Sequence, residues 1–234
     1  LAPTHAGKST LTRSLIWDFL ENTSDMLNQK VLLWLTEESV DQFKREFAKI
    51  GLPQELGRNL IIMSEQDLAS KTIDQKKWFF AKVIESMMPK KIFIDNITTS
   101  EFYMDRKVDE QASYAKYLKS IAINNDIPIT VIAHTGGDTK MKTGLLELNS
   151  IRGGKSIVNL AEFAYILQMF QIWDEEKSVW IKKPVIRIEK HRGQSGVKNI
   201  VFELRYNPTT VSFMEDRVMD WPSFKDAVKE QMSV

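Results

Sequence analysis

Apolar and polar positions along this chain follow two periods that alternate. Leu11 to Leu20 carries apolar residues at helical spacing, and polar residues from Asn22 to Gln29 close that helix. Val31-Leu32-Leu33-Trp34-Leu35 is a short, continuous apolar run, the pattern of a buried parallel strand. Ser39 is placed to cap a helix from Val40 to Ile50, which stops at Gly51-Leu52-Pro53. Asn59 to Met63 reads as a strand. Thr72 to Met88 reads as a helix with Trp78, Phe79, Val83, Ile84 and Met87 on one side, ended by Pro89. Lys91 to Asn96 is a further strand. Asp109 to Asn124 is a helix that turns Tyr114, Tyr117, Leu118 and Ile121 inward, and Ile127 to His134 is a strand ending in a histidine. After a glycine-containing polar loop, Thr135 to Asn149, the stretch Ile151 to Ser156 opens a short helix. Glu162 to Phe170 reads as a strand followed by a turn at Asp174 to Lys177. Val185 to Lys190 and Asn199 to Leu204 alternate like antiparallel strands around the loop His191 to Lys198, and Asp220 to Gln231 is a last helix. Strand–helix alternation followed by hairpins predicts an α/β fold, a doubly wound and mainly parallel sheet with an antiparallel edge. Sites in such sheets lie at the carboxyl ends of the strands.

Composition narrows the class. The chain has 234 residues, enough for one large α/β domain, with 43% hydrophobic and 27% charged residues as in ordinary globular proteins. Its 32 basic and 31 acidic residues nearly cancel, so any surface for nucleic acid must come from local clustering. The absence of cysteine excludes a disulfide framework and a thiolate zinc site. No apolar run approaches the roughly 20 residues that span a bilayer, so no membrane partner is expected.

The chemistry begins at the first residues, Leu1-Ala2-Pro3-Thr4-His5-Ala6-Gly7-Lys8-Ser9-Thr10. A small-x-x-x-x-Gly-Lys-Ser stretch entering a helix is the pattern of a phosphate-binding loop, with Ala2 in place of the usual first glycine. Gly7 permits a tight turn that points successive N–H groups at a phosphate. Lys8 brings positive charge to the β- and γ-phosphates, and the Ser9 hydroxyl is suited to Mg²⁺. Ala6, Gly7, Lys8, Ser9 and Thr10 are therefore the candidate nucleotide contacts, backed by the positive end of the helix dipole. A strand normally leads into such a loop, so the sequence is expected to be cut before that strand and before any N-terminal domain.

Strand ends supply the remaining groups. Glu37 follows the Val31–Leu35 run and is placed either to orient a water against the γ-phosphate or, like Glu38, to favour a helix start. Asp95 closes an apolar strand, the Walker B pattern, which holds Mg²⁺ together with Ser9. His134 at its strand end is a candidate γ-phosphate contact or a loop histidine satisfied locally. Lys190-His191-Arg192 is either a solvated hairpin or a basic cluster whose projecting arginine is offered to a neighbour's nucleotide. Lys140, Lys142, Arg152 and Lys155, with Gly153 among them, suit phosphodiester contacts without base stacking, or else a solvated loop.

Taken in order, Ala2 to Thr10, Leu35-Thr36-Glu37-Glu38-Ser39, Ile92 to Asn96, Val131 to His134, Ile151 to Gly154 and Lys190 to Gly193 resemble the motifs of the DnaB-type replicative helicases. That is the RecA-like superfamily 4 group, which includes the phage primase-helicases and Twinkle. The Glu-Glu-Ser and the strand-end histidine resemble the primase-helicase branch. The resemblance implies a RecA-like P-loop ATPase domain that binds ATP or another NTP with Mg²⁺. Glu37 would be the catalytic base, Asp95 the Walker B acid and His134 the γ-phosphate sensor, with Lys190 and Arg192 acting in trans. It implies single-stranded DNA in contact with Gly136 to Gly144 and Arg152-Gly153. The implied assembly is a hexameric ring of this chain with primase and polymerase as partners, in the cytoplasm of a bacterial or phage-infected cell. An alternative is a RecA-like DNA-dependent or signalling ATPase that does not unwind DNA. A binding module with a dead ATP site is opposed by the intact Lys8, Glu37 and Asp95.

Overall fold

The computed structural model describes residues 7–22, 29–49, 51, 57–135, 146–148, 151, 155–174, 178–193, 200–209 and 212–232. The first half is built on a parallel sheet of four strands, β1 (Val31–Leu35), β2 (Leu60–Ser64), β3 (Lys91–Asp95) and β4 (Ile129–Val131), in the order β2-β1-β3-β4. β1 is buried at every position, as its uninterrupted apolar run requires. Successive side chains alternate between its two faces. Val31, Leu33 and Leu35, with Phe93 of β3, pack on Ile16 and Leu20 of α1 (Lys8–Asn22) and on Phe43 and Phe47 of α2 (Val40–Ala48). Leu32, Trp34, Ile92 and Ile94 pack on the opposite face against Phe80 and Ile84 of α3 (Ile73–Met87) and Tyr114, Leu118 and Ile121 of α4 (Val108–Asn125). Helices on both faces make the sheet doubly wound. Each fully buried Leu, Ile or Phe contributes roughly 1.5–3 kcal/mol over exposure.

Local signals set the helix ends. The Ser39 side chain accepts from the Gln42 N–H at 3.2 Å, and Thr72 and Gln75 form a reciprocal capping box at the start of α3. The buried face of α3 differs from the sequence expectation. It carries Lys76, Phe80 and Ile84, whereas Trp78 is 63% exposed and Phe79 and Met87 are also exposed. Lys76 is the cause. Its stem is fully buried while its ammonium reaches Glu101 at 2.6 Å, so a charged residue belongs to the inner stripe.

The second half is an additional antiparallel sheet rather than an edge of the first. Its strands β5 (Phe163–Asp174), β6 (Val179–His191), β7 (Ile200–Asn207) and β8 (Ser212–Asp220) pair in sequence order. β5 follows the short helix α5 (Ser156–Leu160). β6 starts six residues before the expected Val185, and the hairpin turn at 175–177 lies outside the described residues. β8 was not expected at all, because its middle, Glu215-Asp216-Arg217, is exposed and breaks the alternation. Asp220 caps α6 (Trp221–Met232) by accepting from the Ser223 N–H at 2.9 Å and its hydroxyl at 2.6 Å. Leu167, Leu204 and Phe213 of this sheet close on Leu11, so α1 packs against both sheets. The Phe213 N–H also donates to Ser14 Oγ at 2.9 Å. Among the described residues, no helix is long and apolar enough to cross a membrane.

Candidate nucleotide site

Gly7 leads into α1 with φ at +79°, a left-handed conformation that a side chain resists. Its space is closed as well as its dihedral, because a Cβ there would sit 2.7 Å from Phe213 Cζ. The Leu11 N–H donates to the Gly7 carbonyl at 2.8 Å and starts the helix. Lys8 is buried. Burial holds its ammonium below the usual lysine range, and the nearby Asp95 and Glu37 carboxylates oppose that shift. Ala2 and Ala6 lie outside the described residues, while Ser9 and Thr10 occupy the first turn of α1.

Across from this turn, Ser9, Arg13, Glu37, Glu38, Gln42 and Asp95 line a polar cavity of about 290 Å³. β1 and β3 are neighbours with Leu35 paired to Asp95, and the Thr36 N–H donates to the Asp95 carbonyl at 2.9 Å. That register sets Glu37 and Asp95 side by side at the carboxyl edge of the sheet. Burial pushes the Asp95 carboxyl up to about 6. Glu38 and Glu37 reinforce the shift, and Thr12 and Lys8 oppose it. Asp95 Oδ2 is buried without a hydrogen-bond partner. An orphaned carboxylate oxygen sharing a polar cavity with a serine hydroxyl fits a hard divalent cation such as Mg²⁺. No group of three His, Cys, Asp or Glu side chains arranged to hold a metal ion occurs among the described residues. A cation here would therefore take its remaining oxygens from nucleotide phosphates and water.

His134 joins the site from the next strand. Its Nε2 lies 3.4 Å from Glu37 Oε1, with the histidine largely buried and the glutamate half exposed. Residues 97 positions apart are brought together because β1, β3 and β4 are consecutive in the sheet.

A lattice of hydroxyls beneath them escaped sequence reading. Thr36 Oγ1 accepts from the Asn96 N–H at 2.9 Å and lies 2.8 Å from the Asn96 carbonyl and 2.7 Å from Thr99 Oγ1. Asn96 Oδ1 accepts from Thr98 Oγ1 at 2.7 Å and from the Thr99 N–H at 3.1 Å. Thr98 Oγ1 in turn accepts from the His134 N–H at 3.2 Å. The Thr-Glu after β1, the Asp-Asn at the end of β3 and the histidine after β4 are thus tied into one frame. The clustering of Thr36, Thr98 and Thr99 after strand ends was the one signal available. Arg13 was missed as well. It reaches from α1 to both oxygens of Glu38, at 3.3 and 3.2 Å.

Lys140, Lys142, Arg152 and Gly153 lie outside the described residues, and Lys155 is exposed in the turn before α5. The ends of their loop are joined by an antiparallel bridge between Thr135 and Ile151. Between them, the Leu146 N–H donates to Gln168 Oε1 at 3.0 Å. Lys190 Nζ donates to the carbonyls of Val158 at 2.7 Å and Asn159 at 3.0 Å, and Arg192 Nη2 donates to that of Asn159 at 2.6 Å. Both cations therefore rest on the carboxyl end of α5, which follows the loop directly.

No family model and no curated protein matches the sequence. Among solved structures the chain is similar to a KaiC-like protein from the hyperthermophilic archaeon Pyrococcus horikoshii. The likeness has a TM-score of 0.65 at 14% sequence identity, over 92% of this chain and 87% of that one. The chain has the RecA-like α/β fold, a four-stranded parallel sheet with an additional antiparallel sheet.

Proposed function

We propose that this chain is an ATP-hydrolysing motor domain that moves along single-stranded DNA and unwinds duplex, working as a ring of identical subunits. The observation that carries the hydrolytic reading is the approach of Glu37 Oε1 to His134 Nε2 at 3.4 Å, beside Lys8 and Asp95. The Gly7 turn and the first N–H groups of α1 receive the phosphates, and Lys8 offsets their charge. Ser9 and Asp95 would hold Mg²⁺ brought in with the nucleotide, and it would supply positive charge against the phosphates. Glu37 accepts a proton from water as the water oxygen bonds to the γ-phosphorus. The bond from that phosphorus to the β–γ bridging oxygen breaks, giving ADP and phosphate. His134 orients Glu37 and contacts the γ-phosphate. Lys190 and Arg192 leave the carboxyl end of α5 to stabilise transition-state charge on a neighbour's nucleotide. Lys140, Lys142, Arg152 and Lys155, with the Gly153 backbone, contact DNA phosphates.

The test is hydrolysis by the whole protein with and without single-stranded DNA, run beside strand displacement on a forked duplex. Stimulation together with displacement is the expected result. Stimulation without displacement leads to a second reading, a RecA-like ATPase that does not unwind DNA. The fold likeness to a KaiC-like protein favours that second reading.

A further inference from the structure

Glu37 and Glu38 are adjacent in sequence and line one cavity with Asp95, yet they are placed differently. The Glu37 side chain is 52% exposed and approaches His134, whereas that of Glu38 is 14% exposed and approaches Arg13. The turn that carries them is held from the end of β2 and the turn after it, with Gln66 Nε2 donating to the Glu37 carbonyl at 2.9 Å and Ser64 Oγ to that of Glu38 at 3.3 Å. Arg13 grips the same turn from α1. It meets both oxygens of Glu38, and its guanidinium lies 5.3 Å from the ring centre of Phe43, which is fully buried on α2. One guanidinium nitrogen, Nη2, makes both contacts, and arginine suits this task because its flat charged group bonds a carboxylate while lying against an aromatic face. Three carboxylates therefore share the cavity without forming a metal-holding group among the described residues.

We propose that Arg13 is a positioning residue that sequesters Glu38, so that Asp95 alone meets the divalent cation and Glu37 alone takes the proton. The proposal rests on the hydrolytic reading of the site. Removing the guanidinium frees Glu38 to turn toward Asp95 and adds a second carboxylate ligand where one is intended. The cation is then held away from its productive place, and the Glu37 turn loses its anchor on α1.

The test is a titration of the nucleotide-free protein with Mn²⁺ alone, followed by the paramagnetic resonance signal of the free ion. Arg13→Met should bind Mn²⁺ tighter than wild type by at least about tenfold, since a second unpaired carboxylate joins the first. Arg13→Met/Glu38→Gln should return to the wild-type affinity. Arg13→Gln keeps a polar side chain but is shorter and carries no charge to hold the Glu38 carboxylate. It should show the same tightening and serves if the methionine variant loses its cooperative melt. Wild-type Mn²⁺ affinity in the single variants, or no reversal in the double variant, overturns the proposal. In hydrolysis, Arg13→Gln should lower kcat with little change in KM. A wild-type protein that hydrolyses no nucleotide overturns the hydrolytic reading instead, and the Mn²⁺ titration still judges Arg13.

Discussion

Gly7 is constrained twice, by a dihedral that disfavours side chains and by the Phe213 ring at the position of its missing Cβ. Gly7→Ala should cost about 1–2 kcal/mol in backbone strain alone, with the ring contact added to it. Nucleotide affinity should fall at least tenfold by fluorescent-analogue titration, on the order of 1.4 kcal/mol. Adding Phe213→Ala should restore part of the stability and little of the affinity, because the dihedral penalty stays. Asp95 gives a pH signature. Its carboxyl is raised by burial from 3.8 to about 6, so the folded state binds the proton more tightly than the unfolded chain. Without cation or nucleotide, this group's contribution to stability should be fullest below pH 4. It should decline as pH rises to about 6 and stay flat above that. Asp95→Asn should remove the decline and raise the melting temperature of the ligand-free protein at pH 7. An unaltered pH profile in that variant would show that the buried acid is not its source. Lys8, Glu37, Asp95 and His134 were legible in the sequence because each sits where a strand or loop ends. Arg13 was not legible, because an arginine inside a helix reads as surface until its partner is seen.

At the scale of elements, the site is a set of strand ends held in register. Thr36 and Asn96 lock the β1 and β3 ends together, and Thr98 extends the lock to His134 after β4. Thr36→Val keeps the volume and strands the Asn96 N–H, a loss of about 1–3 kcal/mol for a buried donor. Unfolding in denaturant should report that loss, and turnover should fall further than nucleotide affinity. Thr36→Ser should recover both, and a valine variant equal to wild type would refute the lock. The uninterrupted apolar run of β1 and the cap at Ser39 were readable because a few neighbouring residues decide them. The inner face of α3 was not, because Lys76 is buried by a partner 25 residues away, Glu101. β8 was hidden for a similar reason. A strand with an exposed acidic and basic middle is stabilised by pairing with β7, which local pattern does not show.

For the whole molecule, the doubly wound sheet could be read from alternating periods, but its separation from the late strands could not. Which strands pair depends on contacts between distant segments, and long strands such as β5 and β6 satisfy one another as an independent sheet. α1 bridges the two halves. Ile16 and Leu20 face the parallel sheet, while Leu11 packs against the cluster containing Phe213 and Ser14 accepts from the Phe213 N–H. The helix that begins after Gly7 is thereby tied to both sheets, and the carboxyl edge of the first carries Glu37 and Asp95. We propose that this edge hydrolyses nucleotide, with Glu37 as the base. It is tested most directly by steady-state ATP turnover of Glu37→Gln beside wild type, with nucleotide affinity measured on the same preparations. Wild-type turnover, a loss of at least about a hundredfold in the variant and nearly unchanged affinity are the expected results. A variant that turns over ATP at the wild-type rate would contradict the assignment.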